Sequence, residues 1–216
     1  MSKINTVLFD LDGTLINTYQ LIIESFQHTF RTVLGHEKPV EEIARTFGEP
    51  LALTMSKMLT IPPEEAMQIY RGYHYEHFED LIEIYPGMGE LVAELSRQDY
   101  RLGVVTSRLR NTTERALRHF QIMDHFDYVL TADDTDKHKP DPTPVLMALD
   151  KLGAKPQEAV MIGDTIFDIG SARNAGVTSV MVGWSEAFMH QEEESEFSPD
   201  HVIQEASELL ELIRRI

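Results

Sequence analysis

The sequence predicts an α/β protein: a parallel sheet flanked by helices, with a small helical domain inserted after the first strand. Short β-branched and aliphatic runs recur at residues 6–9, 101–106, 128–131, 159–162 and 179–182. From residue 101 onward they alternate with helix-length segments. That alternation is the mark of βαβ units, because a parallel pair needs a crossover long enough to return the chain to the same end of the sheet. The core should therefore be a Rossmann-like parallel sheet. The insert is predicted by length, since about ninety residues separate the first run from the second, far more than one crossover helix occupies.

Taken in order, residues 6–9 read as a buried strand that leads directly into Asp10. Residues 17–81 carry helical spacing, at Leu21, Ile22, Ser25, Phe26 and Phe30, then Met55, Met58 and Leu59, then Met67 and Tyr70, with almost no strand pattern. Breaks at 35–39, 48–50 and Pro62-Pro63 divide them into three or four helices, and Tyr85-Pro86-Gly87 marks the return to the core. The expected division is an α/β core of residues 1–16 and 82–216 and a helical cap of residues 17–81. Two linkers, near Ile16-Asn17 and at 81–86, would let the cap rock over the site. The acidic stretch 191–196 reads as a solvated helix or loop.

With 216 residues the chain can bury a substantial core. It has no cysteine, which removes disulfides, thiolate metal sites and thiol nucleophiles and suits a reducing cytoplasm. The first residues run straight into a strand, without the basic start and apolar segment of a secretion signal. Apolar runs such as 102–105 are far short of the roughly 20 residues that a membrane span needs. A cytoplasmic protein with no membrane association is expected, as a monomer or a homodimer. The formal net charge of −17 repels nucleic acid and anionic lipid, which are bound by clustered Lys and Arg. A small anionic substrate must then be captured by local positive groups acting against the overall field.

Four expected strand ends carry the chemistry. The first offers Asp10-Leu11-Asp12-Gly13-Thr14: two carboxylates at i and i+2 on a loop at the edge where open α/β sheets place their sites. The second offers Thr106 and Ser107, whose hydroxyls and amides can cradle phosphoryl oxygens. The third offers Lys139 within His138-Lys139-Pro140-Asp141-Pro142, where two prolines stiffen the segment that presents the ammonium. The fourth offers Gly163-Asp164 with Asp168 four residues on, a spacing that predicts both carboxylates on one side of a nascent helix. Taken singly, each has a plainer reading: a helix cap, an exposed acid or a solvated lysine. Their recurrence at successive strand ends favours a site. Asp10, Asp164 and Asp168 would form an oxygen-rich cluster of the kind Mg²⁺ prefers, without the His or Cys that attracts zinc.

With these residues in place the sequence resembles the haloacid dehalogenase superfamily of phosphohydrolases, over nearly the whole chain. The four motifs fall on Asp10-x-Asp12-Gly-Thr14, on Thr106, on Lys139 and on Gly163-Asp164-x-x-x-Asp168. The helical insert corresponds to that family's small cap, as in its phosphoglycolate phosphatase and β-phosphoglucomutase group. The resemblance implies that Asp10 attacks phosphorus, while Asp12 protonates the leaving group and then activates water. It implies Mg²⁺ held by Asp10, the Asp12 backbone carbonyl and Asp164, with Asp168 supporting a bound water, and Thr106 and Lys139 on the transferring phosphoryl. Dehalogenation is disfavoured, because a proton donor at Asp12 has no use with a halide leaving group.

Further matches at Leu15-Ile16-Asn17-Thr18, Val105-Thr106 before Leu109-Arg110, and Lys139-Pro140-Asp141-Pro142 resemble the family's bacterial pyrophosphatases, some of them shared with phosphoglycolate phosphatases. Either substrate needs a second cationic contact beyond the transferring phosphoryl. Arg108 and Arg110 on the core, and Arg45, Arg71 and the Phe47-Gly48 turn on the cap, are candidates, with Ser107 beside them. For each arginine an ordinary surface role stays open, and His74 and His77, beside aromatic residues, are as compatible with packing as with chemistry. Two rival classes remain: a β-phosphoglucomutase-type phosphotransferase, and a response-regulator-like signalling domain that phosphorylates a strand-end aspartate but leaves the cap unexplained.

Overall fold

A computed structural model of the protein describes residues 3–47, 49–185 and 197–216. In chain order its elements are β1 (Thr6–Phe9), β2 (Ile16–Asn17), α1 (Tyr19–Leu34), α2 (Val40–Ala44), α3 (Leu51–Met58), α4 (Pro63–Glu76), β3 (Glu83–Ile84), α5 (Met88–Arg97) and β4 (Arg101–Val105). There follow α6 (Arg110–His119), β5 (Tyr128–Leu130), α7 (Thr143–Leu152), β6 (Ala159–Gly163), α8 (Ile166–Asn174), β7 (Thr178–Val182), β8 (His201–Ile203) and α9 (Ser207–Arg215). No helix among the described residues is long and apolar enough to cross a membrane.

Six strands form one parallel sheet in the order β5-β4-β1-β6-β7-β8. The chain leaves β1 toward β4 and β5, then returns to its other side for β6, β7 and β8. The winding therefore reverses at β1, and the crevice beyond its carboxyl end is where such sheets bind ligands. Both faces of β1 are covered, which is why Val7, Leu8 and Phe9 are apolar without alternation and fully buried. The strand's period of two still sorts them. Val7 and Phe9 enter the core packed by α5 and α9, through Leu91, Leu95, Leu209 and Leu212. Leu8 enters the core on the opposite face with Val145, Leu149 and Ala172 of α7 and α8.

Helices α1 to α4 bury a core of their own around Ile23, Phe26, Phe30, Ile43, Met55 and Tyr70. Helix α1 serves both regions, because Leu21 near its start belongs to the main core while Phe26 and Phe30 further on face the cap. The expected breaks fall where left-handed or proline geometry stops a helix, with Gly35 at φ 77° after α1 and Pro62 leading into α4. Gly48, and the acidic stretch 191–196, lie outside the described residues.

Two elements had no readable signal. The two linkers pair with each other as an antiparallel ribbon, Ile16 opposite Ile84 and Asn17 opposite Glu83. Two residues per strand are too few to show a period. Strand β8 extends the sheet beyond β7. It is three residues long with Val202 46 % exposed, as an edge strand allows.

Candidate active site

Asp10 sits where β1 ends, its N–H donating to Ile162 O at 2.8 Å as the last rung shared with β6. The chain then turns back on itself. Gly13 N–H donates to Ile16 O, and the N–H groups of Leu15 and Ile16 both donate to Leu11 O. Gly13 has φ 81°, and a Cβ there would lie 2.0 Å from Asp164 Oδ2. Only glycine lets this loop close against the carboxylate at the end of β6.

The spacing predicted Asp164 and Asp168 on one helix face, and the structure corrects this. Asp164 precedes the helix, Thr165 is its N-cap, and α8 begins at Ile166. Asp168 is brought back by a capping box: its Oδ2 accepts from Thr165 N–H at 3.1 Å and from Thr165 Oγ1 at 2.7 Å. Gly163 is needed for this fold-back, since a Cβ there would meet Asp168 Cβ at 2.3 Å. The other oxygen of Asp168 accepts from Lys139 Nζ at 2.5 Å. Lys139 also donates to Asp10 Oδ1 at 2.6 Å and to Val105 O at 3.2 Å, so its three N–H bonds have three acceptors.

Oxygen atoms of Asp10, Asp164 and Asp168 lie within 4.8 Å of one another, all three residues buried. Three carboxylates face one ammonium. Burial raises Asp10 to about 7, with Asp168 and Asp12 adding to the rise and Lys139 opposing it. Burial, then Asp168 and Asp10, hold Asp164 well above the usual carboxylate range. A hard divalent cation would relieve this repulsion, and an all-oxygen donor set is the kind that Mg²⁺ or Ca²⁺ takes. The residues present therefore fit a metal.

Asp12 stands apart from this cluster. Its carboxylate accepts from Arg108 Nε at 3.1 Å and Nη2 at 2.8 Å, and from Thr18 Oγ1 at 2.7 Å. Burial works against ionisation, but Arg108 and Thr18 prevail and hold the carboxyl below its usual range. The surroundings thus drive the two aspartates of one loop in opposite directions. Thr106, 5 % exposed at the end of β4, accepts at Oγ1 from the Arg108 N–H at 3.1 Å.

A cavity of about 400 Å³ lies between these strand ends and the cap. Asp10, Asp12, Thr106, Ser107, Arg108, Lys139, Asp164 and Asp168 line it from the core, and Arg71 from the cap. Arg110, a candidate by sequence, is turned elsewhere: its Nη2 donates to both Asp134 oxygens at 2.7 and 2.6 Å. It opens α6, and the helix's first turn carries its side chain toward the segment after β5. Arg45 is exposed on the cap and does not line the cavity. Ser185 was missed. It donates to Asp164 Oδ2 at 2.7 Å from just beyond β7, and the rule that strand ends carry the site would have found it.

A parallel sheet whose central strand ends in this aspartate loop, beneath a helical cap, defines the class. The chain belongs to the haloacid dehalogenase-like hydrolase family, which it matches over residues 7–182. It is a hydrolase of the phosphatase kind. Among particular relatives, it is 41 % identical to Pyrophosphatase PpaX of Bacillus mycoides (strain KBAB4), over 99 % of each chain. A Lactobacillus plantarum crystal structure provisionally designated a phosphoglycolate phosphatase matches with TM-score 0.84 and 30 % identity, covering 97 % of this chain and 99 % of its own. A Bacteroides fragilis structure provisionally designated a haloacid dehalogenase-like hydrolase matches with TM-score 0.86 and 26 % identity, covering 96 % of this chain and 100 % of its own.

Proposed function

We propose that the protein is a Mg²⁺-dependent phosphohydrolase that works through an aspartyl-phosphate on Asp10, with inorganic pyrophosphate as its preferred substrate. The observation that carries the reading is the convergence of Asp10, Asp164, Asp168 and Lys139 at the end of the central strand. Asp10, Asp164 and the Asp12 backbone carbonyl would hold the metal, with Asp168 supporting it. When bound, the metal would screen the phosphoryl charge and keep Asp10 ionised.

An Asp10 oxygen forms a bond to phosphorus as the bond to the leaving phosphate breaks, and the electron pair departs with that phosphate. Asp12, held ionised by Arg108 and Thr18, takes a proton from the water that attacks the aspartyl-phosphate, which restores Asp10, and the leaving phosphate departs as the anion. Arg108, donating two N–H bonds to Asp12, supports the ionised form needed at the water step. Thr106, Ser107 and Lys139 contact the transferring phosphoryl, and Arg108, with Arg71 from the cap, neutralises the leaving phosphate. Pyrophosphate is preferred because of the 41 % identity to PpaX across the full chain.

One observation favours a second reading. The cavity of about 400 Å³ presents apolar cap residues such as Ile22, Phe26 and Leu51, which leaves room for an organic phosphate monoester such as phosphoglycolate. A phosphate-release panel of pyrophosphate, phosphoglycolate, sugar phosphates and nucleotides, each with Mg²⁺, tests both. The highest kcat/KM on pyrophosphate supports the first reading, and a monoester ahead of it overturns that choice while leaving the mechanism in place.

A further inference from the structure

Arg108 reaches both walls of the cavity. Its Nε and Nη2 are on Asp12, within the core, and its Nη1 lies 3.0 Å from His74 Nε2, on α4 of the cap. The Arg108 side chain is 7 % exposed, so an N–H left without an acceptor there would be costly. A guanidinium has only donors. His74 Nε2 must therefore accept in this contact, with the ring proton on Nδ1.

The rest of the ring's surroundings agree with that assignment. Nδ1 faces Ser25 Oγ at 3.4 Å, and Ser25 Oγ donates in turn to Leu21 O at 2.6 Å, which ties the ring to α1. Tyr70 stacks on it at 5.4 Å and Phe78 packs at 5.8 Å between ring centroids. Burial, then the Arg108 charge, lower the His74 pKa to about 3, so the ring is neutral and can accept. A hydrogen-bonded line thus runs from α1 through His74 and Arg108 to Asp12.

We propose that His74 is a positioning residue for Arg108: by accepting the Nη1–H from the cap it fixes the guanidinium against Asp12. The arginine of the site is then in register only when α4 is seated over the strand ends. Packing alone does not account for the contact, because the aromatic neighbours hold the ring's faces while Nε2 is aimed at the one group that must donate. His74 acts through Arg108 and need not touch substrate.

The inference rests on reading the cavity as a phosphohydrolase site. The test uses the full-length protein with Mg²⁺ and whichever of pyrophosphate or p-nitrophenyl phosphate it turns over. His74→Phe keeps the ring packing and removes the acceptor, whereas His74→Gln returns an acceptor to the Nε2 position. We expect His74→Phe to lose about tenfold in kcat/KM and His74→Gln to recover most of it, with no further loss from His74→Phe when Arg108 is already alanine. Equal losses in Phe and Gln, or a Phe loss that persists in the Arg108→Ala background, overturn the proposal. Should His74→Phe melt below the assay temperature, His74→Asn replaces it, since its amide reaches only the Nδ1 side; losses equal to those of Gln again overturn the role. Asp10→Asn separates the two levels. Turnover retained by that variant sinks the phosphohydrolase reading itself, whereas an inactive Asp10→Asn beside an unaffected His74→Phe sinks only the role of His74.

Discussion

The core wall of the cavity is mainly polar and closely hydrogen-bonded: Lys139 meets Asp10 and Asp168 at 2.6 and 2.5 Å, and the carboxylate of Asp12 accepts three donors. The cap wall is mainly apolar, with Tyr19, Ile22, Phe26, Phe47 and Met67 facing the same space. Charges fixed by strand ends and caps suit a reaction whose transition state is stabilised by preorganised groups. An apolar wall on a separate helical core can change shape without disturbing them. On the proposed reading, the difference assigns the chemistry to the core wall and the fit of the substrate's outer part largely to the cap wall, with the Arg108–His74 contact as a join between them.

The largest test of that division is Asp10→Asn, which keeps the side chain's shape and removes the nucleophile. Phosphate release should fall by roughly 10⁴-fold or more, as nucleophile deletions typically do, while the far-UV circular dichroism stays unchanged. Activity near wild type would remove the core wall's claim to the chemistry.

The two arginines after β4 give the next largest contrast. Arg108→Ala should cost about 2 to 4 kcal/mol in transition-state stabilisation on pyrophosphate and less on p-nitrophenyl phosphate, whose leaving group spreads its charge. Arg110→Ala, which breaks a partly exposed pair with Asp134, should leave both rates within about threefold. Steady-state kinetics on the two substrates decide it, and equal losses for both arginines would erase the distinction.

A smaller effect joins acidity to the metal. Asp10 has its folded pKa raised to about 7 and Asp164 is raised well above its unfolded value, so the metal-free folded protein binds more protons than the unfolded chain above about pH 4, with the Asp10 share lost by about pH 7. Their contribution to stability is therefore lost as pH rises through that window, and a cation restores it. Thermal melts should show Mg²⁺ raising Tm more at pH 8 than at pH 5, with the difference shrinking in Asp164→Asn. An increment independent of pH would break the link.

The smallest expected effect concerns the cap. Met67→Ala, on the apolar wall, should alter the ratio of kcat/KM values between pyrophosphate and an organic monoester by roughly tenfold or less, with little change in Mg²⁺ dependence. A variant that changed the Mg²⁺ requirement would place chemistry on the cap after all.

The sequence by itself determined the parallel α/β class, the helical insert and the strand ends that carry Asp10, Thr106 and Asp164, whereas Lys139 lies in the loop nine residues beyond β5. All of these depend on local signals: residue period, the glycine that a reversed loop requires, and aspartates placed directly after apolar runs. Tertiary structure decided which side chains meet. Arg108 and Arg110 are two residues apart and looked alike, yet Arg108 pairs with Asp12, 96 positions away, and Arg110 with Asp134. His74 is by sequence as compatible with packing as with chemistry, and only the fold, bringing α4 against the loop after β4, places it on Arg108. A partner so distant along the chain leaves no mark on local spacing, because the contact is set by how the cap docks on the sheet and not by any turn or period within either segment.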